Sequence, residues 1–512
     1  MSSPSIIFNQ VPDASSLIQH RAFALLAICY LFLLQALIRF QSDLVSDAAW
    51  YLYMANGLVH GKHLYIDFIE VNPPLAVWLV VPVAWVADLT GLGSIPALYA
   101  TLLALTALSV VLVNRYLRLM PHIPAQNRRW LIVLTTGILL FIPAGDFGER
   151  EHFMVLLFMP WVFLRLARSQ GAKPAWPEAA IIGVMAAVAI CIKPQSLMAP
   201  VAVELFLLWR SRKWPLLLSV ENLAAAACVI AYAGVLLVTE QEFLHVILRL
   251  GVKAYVPFYG YPSEVIWFGS LLTVTLIFLA YALRWQDEGP FADITVMASG
   301  VALGFLVSYF IQYKGFAYQV IPALTFASVG CAASVVGFMS AKDSNQLSLF
   351  HKGVLVACLT LSIAHVSTQP QHCVCDERIT ASTLHTYAPH AKSVFIASTR
   401  VGSAFPFVVN EKLVWASRLP TSWLTPYVAS KWQGGALPDD EIVSQALDWA
   451  VTDFATFRPD IVFVDEDDEQ SNAKEKAFDY LKFWSRDARF TELWAHYQRR
   501  GTVSGFAVYT RS

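Results

Sequence analysis

The chain has 512 residues, of which 57% are hydrophobic and only 14% are charged. Soluble domains are about half apolar and about one quarter charged, so this composition predicts an integral membrane protein. The formal net charge of −1, without any run of basic residues, argues against nucleic acid as a partner.

Eleven apolar segments have, or nearly have, the length of about 20 residues that a helix needs to cross a bilayer. The first lacks the basic start and the cleavage site of a signal peptide, so we expect it to remain as an anchor with a cytoplasmic N-terminus. The predicted spans are 22–40, 96–114, 131–144, 153–168, 178–192, 196–209, 215–238, 264–283, 291–311, 318–340 and 353–367.

A further apolar stretch, residues 73–87, is short and has Pro82 at its centre. If this stretch does not span, the side of the N-terminus carries about twice as many lysines and arginines as the other side, as the positive-inside rule requires. We therefore expect residues 73–87 to form a helix in the outer interface. Asn72 is the predicted N-cap and Pro73 the predicted first helical residue.

The end of the chain is more polar and has the pattern of an α/β domain. Val394–Ala397 and Ile461–Val464 are short apolar runs typical of buried strands, and Gly505–Tyr509 is a weaker third. The sequence thus predicts a transmembrane domain over 1–368 and an outer α/β domain over 369–512. Cys373 and Cys375, near this boundary, do not have zinc-ligand spacing.

The first predicted outer loop, residues 39–75, collects four carboxylates in a chain that has few charges. Asp47 follows Ser46, a predicted N-cap, and lies in the first turn of a predicted helix over 47–60. The helix macrodipole favours an ionised carboxylate there, which suits a group that must accept a proton. For Asp47 alone, an ordinary helix-start residue is the alternative. The four carboxylates are those of Asp43, Asp47, Asp67 and Glu70.

The second predicted outer loop, residues 145–152, has five ionisable side chains between two spans. Charges beside a bilayer are costly and usually functional. Acids from the two loops are suited to bind a divalent cation through oxygen ligands, and Arg150 is suited to bind a phosphate. The alternative is a cluster of ion pairs that neutralise one another. The five are Asp146, Glu149, Arg150, Glu151 and His152.

Two lysines, Lys193 and Lys314, lie at predicted outer helix ends, each beside a proline or glycine. Cations at this depth are placed to bind a lipid phosphate, although lysines also reach the interface without any ligand. Residues 242–254 have apolar positions on one helical face and charged positions on the other, which predicts an interfacial helix. Such a helix covers a lipid-entry groove or only anchors its loop.

In the order of these features the chain resembles the GT-C glycosyltransferases. The branch it resembles most is the bacterial relatives of the dolichyl-phosphate-mannose protein mannosyltransferases, which include the lipid A aminoarabinose transferases. The resemblance covers roughly residues 20–330. The matching features are Asp47, an amphipathic stretch ending near Gly61, Tyr65-Ile66-Asp67, Glu70-Val71-Asn72-Pro73-Pro74-Leu75, the loop from Asp146 to His152, and Lys314-Gly315-Phe316-Ala317-Tyr318.

The resemblance implies a polytopic helical membrane protein with about eleven spans. It implies a polyprenyl-phosphate-linked sugar donor and a glycan, lipid or protein acceptor on the outer face of a bacterial inner membrane. Asp47 would be the base, with Asp146 or Glu149 as an acidic partner, and membrane lipids would be further partners. The candidate substrate contacts are Asp67, Glu70, Arg150, His152, Lys193, Lys314 and Tyr318.

Elementary chemistry agrees with this expectation, because an inverting transfer needs a base at the acceptor hydroxyl and positive charge at the departing phosphate. Three alternatives stay open. One is a ligase or polymerase that uses a lipid-diphosphate glycan. Another is a transporter, although paired interrupted helices and inverted repeats are not evident. The third is a noncatalytic envelope scaffold. The donor sugar and any need for a metal are not specified by the sequence.

Overall fold

The structure is a computed structural model that describes residues 14–120, 122–257, 262–267, 270–284, 289–340, 378–432, 434–466 and 478–512. In the first part of the chain these residues are almost entirely helical. The helices are α1 (Ala14–Phe40), α2 (Ser46–Val59), α3 (Leu75–Trp78), α4 (Val81–Thr90), α5 (Ser94–Arg118), α6 (Ala125–Phe141), α7 (Arg150–Ser169), α8 (Trp176–Ile192), α9 (Met198–Ser211), α10 (Val220–Thr239), α11 (Leu248–Leu250), α12 (Pro262–Trp267), α13 (Ser270–Arg284), α14 (Pro290–Gln312) and α15 (Ile321–Ser340).

Each of the first ten predicted spans overlaps at least one of these helices. The eleventh, 353–367, lies outside the described residues. Six segments in the described part are long and apolar enough to cross a membrane. The prediction of a polytopic helical membrane protein is confirmed. The six are 21–40 within α1, then α5, α7, α10, α14, and 317–339, which includes α15.

Helix α7 lies at the centre of the helical bundle. It packs against α5 and α8, and nearly all of its residues are buried, including the charged residues at its start. In contrast, α10 packs on α8 and leaves most of its surface exposed, as expected for a helix that faces lipid. The polar start of α7 is therefore enclosed by protein.

The stretch 73–87 is helical, but its start differs from the prediction. It forms α3 and α4, and α3 begins at Leu75 with Pro74 as its N-cap. Asn72 is not the cap, because its side-chain amide donates to Glu70 Oε1 at 2.5 Å. The N–H groups of Val77 and Trp78 bond the Pro74 carbonyl, so the two prolines precede the helix and lose no internal hydrogen bond there.

The N-cap of α2 also differs from the prediction, by one residue. Ser46 is the first residue of α2, and Val45 occupies the N-cap position without a side-chain hydrogen bond. Asp47 still lies in the first turn, as predicted. The extent of α2 agrees with the apolar spacing of residues 47–60.

The end of the chain forms a five-stranded sheet in the order β2-β1-β3-β5-β4. Strands β2, β1 and β3 are parallel, while β5 is antiparallel to both β3 and β4. The three predicted strands are all present. The elements are α16 (Ala381–Tyr387), β1 (Ser393–Ala397), α17 (Phe407–Asn410), β2 (Val414–Trp415), α18 (Thr425–Lys431), α19 (Glu441–Phe457), β3 (Ile461–Asp465), α20 (Tyr480–Trp484), α21 (Ala488–Trp494), β4 (Tyr497–Val503) and β5 (Phe506–Arg511).

The two faces of this sheet pack on different partners, as the strand period of two residues requires. Val394 and Ile396 belong to the large core shared with the helical bundle, whereas Phe395 and Ala397 belong to a second core with α19 to α21. We refer to residues 378–466 and 478–512 as the sheet domain. The predicted boundary at 368/369, together with Cys373 and Cys375, lies outside the described residues.

Hydrogen bonds attach the sheet domain to the first loop region of the bundle. Ile69 N–H donates to the Arg418 carbonyl at 2.7 Å, and Trp415 N–H donates to the Tyr53 hydroxyl at 3.0 Å. Asn410 Nδ2 also donates to Asp43 Oδ1 at 2.9 Å. The end of α1, helix α2 and the loop after it therefore lie on one side of the bundle, the sheet-domain side.

Candidate active site

Helix α2 contributes two polar side chains to one point beside the bundle core. Asp47 and Tyr51 are four residues apart and lie on the same helical face. Tyr51 is buried, while the Asp47 side chain keeps 23% of its surface exposed. A small molecule can therefore reach the Asp47 carboxylate from outside.

Helix α7 contributes a charged start, and a glycine turn delivers it to α2. Gly148 has a φ of +107°, and a Cβ atom there would lie 3.4 Å from Leu102 and 3.9 Å from Ala48. These are ordinary van der Waals distances, so glycine is needed here for the left-handed backbone and not for space. The turn places Arg150 at the first position of α7, beside Tyr51.

Arg150 links the two helices. Its Nη1 donates to the Tyr51 hydroxyl, and its Nη2 lies 3.6 Å from Asp47 Oδ2. Its Nε lies 3.7 Å from Glu151 Oε2, and its guanidinium lies 6.0 Å from the centre of the Tyr318 ring. A planar cation that is buried among two phenol rings and two carboxylates has little freedom to move.

Lys193 brings a second cation to the same cluster. It follows α8 and precedes Pro194, which starts a short 3₁₀ turn, so the chain leaves the helix at this residue. Its ammonium donates to Glu151 Oε1, donates to Gln312 Oε1 at 3.2 Å, and lies 5.4 Å from the centre of the Tyr318 ring. Glu151 therefore contacts both cations of the cluster.

The carboxylates around these two cations are strongly perturbed. Burial raises the pKa of Asp47, partly offset by Arg150, and burial raises the pKa of Asp146 to about 7. Glu149 is 1% exposed; burial first, and then the neighbouring acids Asp47 and Glu151, raise its pKa well above its usual range. Among the described residues, Glu149 Oε2 has no hydrogen-bond partner. These acids hold protons more tightly than exposed carboxylates do.

The sequence predicts that a divalent cation binds between the two acidic loops. In the described part of the chain, no three His, Cys, Asp or Glu side chains converge as metal ligands do. The binding of a divalent cation therefore stays a prediction.

The structure resembles solved structures over nearly its whole length. ArnT from Cupriavidus metallidurans bound to undecaprenyl phosphate superposes with a TM-score of 0.52 at 12% identity, covering 97% of this chain and 98% of ArnT. The apo state of that ArnT gives a TM-score of 0.53 at 14% identity, covering 97% of each chain. The fold is that of the GT-C glycosyltransferases.

Arabinofuranosyltransferase AftD from Mycobacteria matches 96% of this chain and 40% of its own length, with a TM-score of 0.48 and 12% identity. No family model matches the sequence, and no curated protein matches it by sequence. The likeness to ArnT, at 12% and 14% identity, shows the fold alone, and it is the fold that the resemblance implied.

Glu70 is connected to the cluster through hydrogen bonds. Its Oε2 accepts from Trp50 Nε1 at 2.8 Å, and its Oε1 accepts from the Asn72 backbone N–H at 2.9 Å. The Asn72 amide also lies 3.4 Å from the Tyr51 hydroxyl. Glu70 is 3% exposed, and burial raises its pKa despite these hydrogen bonds. It is placed to orient Tyr51 through Asn72.

Lys314 is engaged elsewhere. Its ammonium donates to the carbonyl of Tyr255 at 2.6 Å and to that of Val256 at 3.2 Å, and lies 4.5 Å from the Tyr255 ring centre. Burial lowers its pKa to about 8. These carbonyls end a helical segment, where cations are favoured. The Lys314 ammonium thus contacts the C-terminal end of the segment that precedes α12.

That segment is the predicted amphipathic helix. It consists of α11 between two π-helical turns, Phe243–Ile247 and Gly251–Tyr255. Its buried side includes Phe243, which lies 5.0 Å from Tyr65 between ring centres. On its exposed side, Arg249 pairs with Glu441 of the sheet domain at 2.6 Å. The segment therefore connects the first loop to the sheet domain.

Two predicted substrate contacts lie apart from the cluster. Asp67 Oδ2 accepts from the His63 N–H at 2.7 Å and so closes its own turn. The ring of His152 lies 4.5 Å from that of Phe147, and its Nε2 lies 3.1 Å from the Leu139 carbonyl. His152 therefore faces the interior between α6 and α7, away from Asp47.

Four residues of this site had no role assigned from the sequence, although Glu151 was named as one of the five ionisable side chains of its loop. Tyr51 had a usable signal, since it lies one helical turn after Asp47. Glu151 had one as well, because it follows Arg150 in the charged loop. Gln312 and Tyr255 had none, because packing of distant segments brings them close to the cluster. The ring of Tyr255 is near enough that Asp47 and Glu70 help to raise its pKa, after burial, to about 12.

Proposed function

We propose that this protein is a glycosyltransferase that moves a monosaccharide from a polyprenyl-phosphate carrier to a cell-envelope glycan, lipid or protein. We place it in the bacterial inner membrane, with the N-terminus in the cytoplasm and the sheet domain in the periplasm. The observation that carries the proposal is the cluster in which a partly exposed carboxylate, Asp47, lies beside two buried cations, Arg150 and Lys193.

Asp47 would act as the base. As the acceptor oxygen attacks the anomeric carbon, its proton passes to the Asp47 carboxylate. The new carbon–oxygen bond forms while the bond to the phosphate oxygen breaks, and that oxygen keeps the electron pair. A pKa raised by burial favours this role, because a base works best when its pKa approaches the operating pH.

Arg150 and Lys193 would stabilise the departing phosphate. Both ammonium and guanidinium are held by Glu151 and by the rings around them, so little reorganisation is needed when charge develops. The solved neighbour ArnT bound to undecaprenyl phosphate supports the choice of carrier. Lys314 would join the donor site if it exchanged the Tyr255 carbonyl for a phosphate oxygen.

Asp146 and Glu149 would be the acidic partners of Asp47. Glu149 is buried, and its raised pKa favours the protonated form, which can donate a hydrogen bond. Asp146 is partly exposed and has a pKa of about 7, so it is suited to carry the proton from Asp47 to solvent.

The experiment that tests the proposal compares envelope glycans by mass spectrometry in cells with the gene, without it, and without it but carrying Asp47→Asn. We expect one sugar residue to be missing in the last two and restored by the wild-type gene. An Asp47→Asn gene that restores the sugar would exclude Asp47 as the base. A glycan profile unchanged by deletion would contradict the proposed function.

A further inference from the structure

A cavity lies beside α2, on the sheet-domain side. Its volume is about 740 Å³, and its wall is formed by α2, the turn between α4 and α5, and the residues around Asn410. From α2 it takes Tyr53, Asn56 and His60. At 100° per residue these positions lie on the opposite face of the helix from Asp47, so the cavity is separate from the active-site cluster.

The wall of this cavity includes a connected set of polar groups. Asn56 Nδ2 donates to Ser94 Oγ at 3.3 Å, and the Asn56 carbonyl contacts His60 Nδ1 at 2.7 Å. His60 Nε2 lies 3.3 Å from Asp88 Oδ2. The one acidic side chain of the described wall is therefore paired with a histidine.

Two lysines, Lys62 and Lys412, also line the cavity. The described lining has no acidic side chain besides Asp88 to pair with them. Lys62 lies with its ammonium 5.2 Å from the centre of the Phe68 ring, and Lys412 follows α17. Both side chains are exposed. The described lining thus has a net positive charge and several hydrogen-bonding groups.

The position of the cavity selects a lipid as the source of a matching anion. Helix α4, which forms one edge, exposes Trp85 (55%) and Leu89 (67%), and Leu92 after it is 48% exposed. Exposed tryptophan and leucine on a short helix of a membrane protein are typical of the membrane interface. The volume suits a headgroup, since small-molecule pockets hold roughly 300–1,000 Å³.

We propose that this cavity binds the phosphate headgroup of an anionic phospholipid from the leaflet on the sheet-domain side. Lys62 and Lys412 would contact the phosphate, while Asn56 and Ser94 would bind the headgroup hydroxyls. This site does not take part in the transfer reaction and does not depend on the proposed function.

The test uses the purified full-length protein in detergent, titrated with phosphatidylglycerol or phosphatidylcholine and read by native mass spectrometry. Each basic side chain near an anionic lipid contributes about fivefold in affinity, so Lys62→Gln/Lys412→Gln should weaken phosphatidylglycerol binding by about thirtyfold. Phosphatidylcholine binding should not change. The matched control, Lys392→Gln/Lys431→Gln, removes two exposed lysines of the sheet domain that do not line the cavity.

Equal phosphatidylglycerol affinity in the wild type and in the Lys62→Gln/Lys412→Gln variant would overturn the proposal. Equal loss in the control variant would also overturn it, because the effect would then reflect total charge. A third arm adds inorganic phosphate to the wild type. Displacement of phosphatidylglycerol by micromolar phosphate would show a site for free phosphate and would contradict the lipid assignment.

Discussion

Replacement of Lys193 by glutamine removes one cation from the active-site cluster and leaves Glu151 in place. The side chains of Lys193 and Glu151 are 8% and 2% exposed, so this ion pair is almost completely buried. Removal of one partner from a buried pair costs about 3–5 kcal/mol, because the other charge stays buried without compensation. We expect the lower end, about 3 kcal/mol, since Arg150 remains 3.7 Å from Glu151.

The assay is thermal unfolding of detergent-purified Lys193→Gln, Glu151→Gln and the double variant, followed by tryptophan fluorescence. Both single variants should unfold at lower temperature than the wild type. The double variant should regain much of the loss, because a neutral glutamine replaces the stranded carboxylate. As a control, Lys431→Gln removes an exposed lysine and should unfold like the wild type.

The same variant tests the donor site through titration with polyprenyl phosphate. Loss of a charge-assisted contact of about 1.5–3 kcal/mol weakens binding by roughly ten- to a hundredfold. Our reasoning is refuted if Lys193→Gln unfolds like the control and the effects of the two single substitutions simply add. Unchanged polyprenyl-phosphate affinity would remove Lys193 from the donor site.

Asp47→Asn should reduce turnover by ~10²-fold or more in a transfer assay while polyprenyl-phosphate affinity is retained; near-normal turnover would exclude it as the base. Burial raises the Asp146 pKa to about 7, so the contribution of this side chain to stability should be lost as pH rises through 7, and the unfolding temperature of Asp146→Asn should decline less over this pH range than that of the wild type. Lys314→Gln should weaken polyprenyl-phosphate binding roughly tenfold or more, and equal affinity would confine Lys314 to its contact with the Tyr255 carbonyl. Cysteines introduced at positions 122 and 60 should react with an impermeant reagent from opposite sides of the membrane; labelling from the same side would contradict the topology.

The helical bundle was predictable because hydropathy and length alone identify helices in a lipid environment. The strands of the sheet domain were predictable because each is a short β-branched run between polar residues. The helix starts at Ser46 and Leu75 were less predictable. Before Leu75, the Asn72 side chain donates to the Glu70 carboxylate two residues earlier. That carboxylate is buried and also accepts from Trp50, a long-range contact that has no local sequence signal.

The candidate site was predictable only in part for the same reason. The pairing of α2 with the start of α7 follows from two acidic loops on one side of the membrane. The contacts of Gln312 and Tyr255 depend on how α14 and the segment before α12 pack, which no local pattern specifies. Lys314 shows the limit most clearly. It lies at a helix end as predicted, but its partners are the backbone carbonyls of a segment about sixty residues away.

The central claim is tested most directly by transfer in vitro. Purified protein in liposomes would receive polyprenyl-phosphate-linked sugars and envelope acceptor extracted from cells that lack the gene, and mass spectrometry would follow both lipid and acceptor. We predict that the wild type releases sugar-free polyprenyl phosphate and adds one monosaccharide to the acceptor, and that Asp47→Asn does neither. Transfer only from a polyprenyl-diphosphate-linked glycan, supplied in a parallel reaction and released as polyprenyl diphosphate, would instead indicate a ligase. An unchanged donor and acceptor with the wild-type protein would contradict glycosyl transfer.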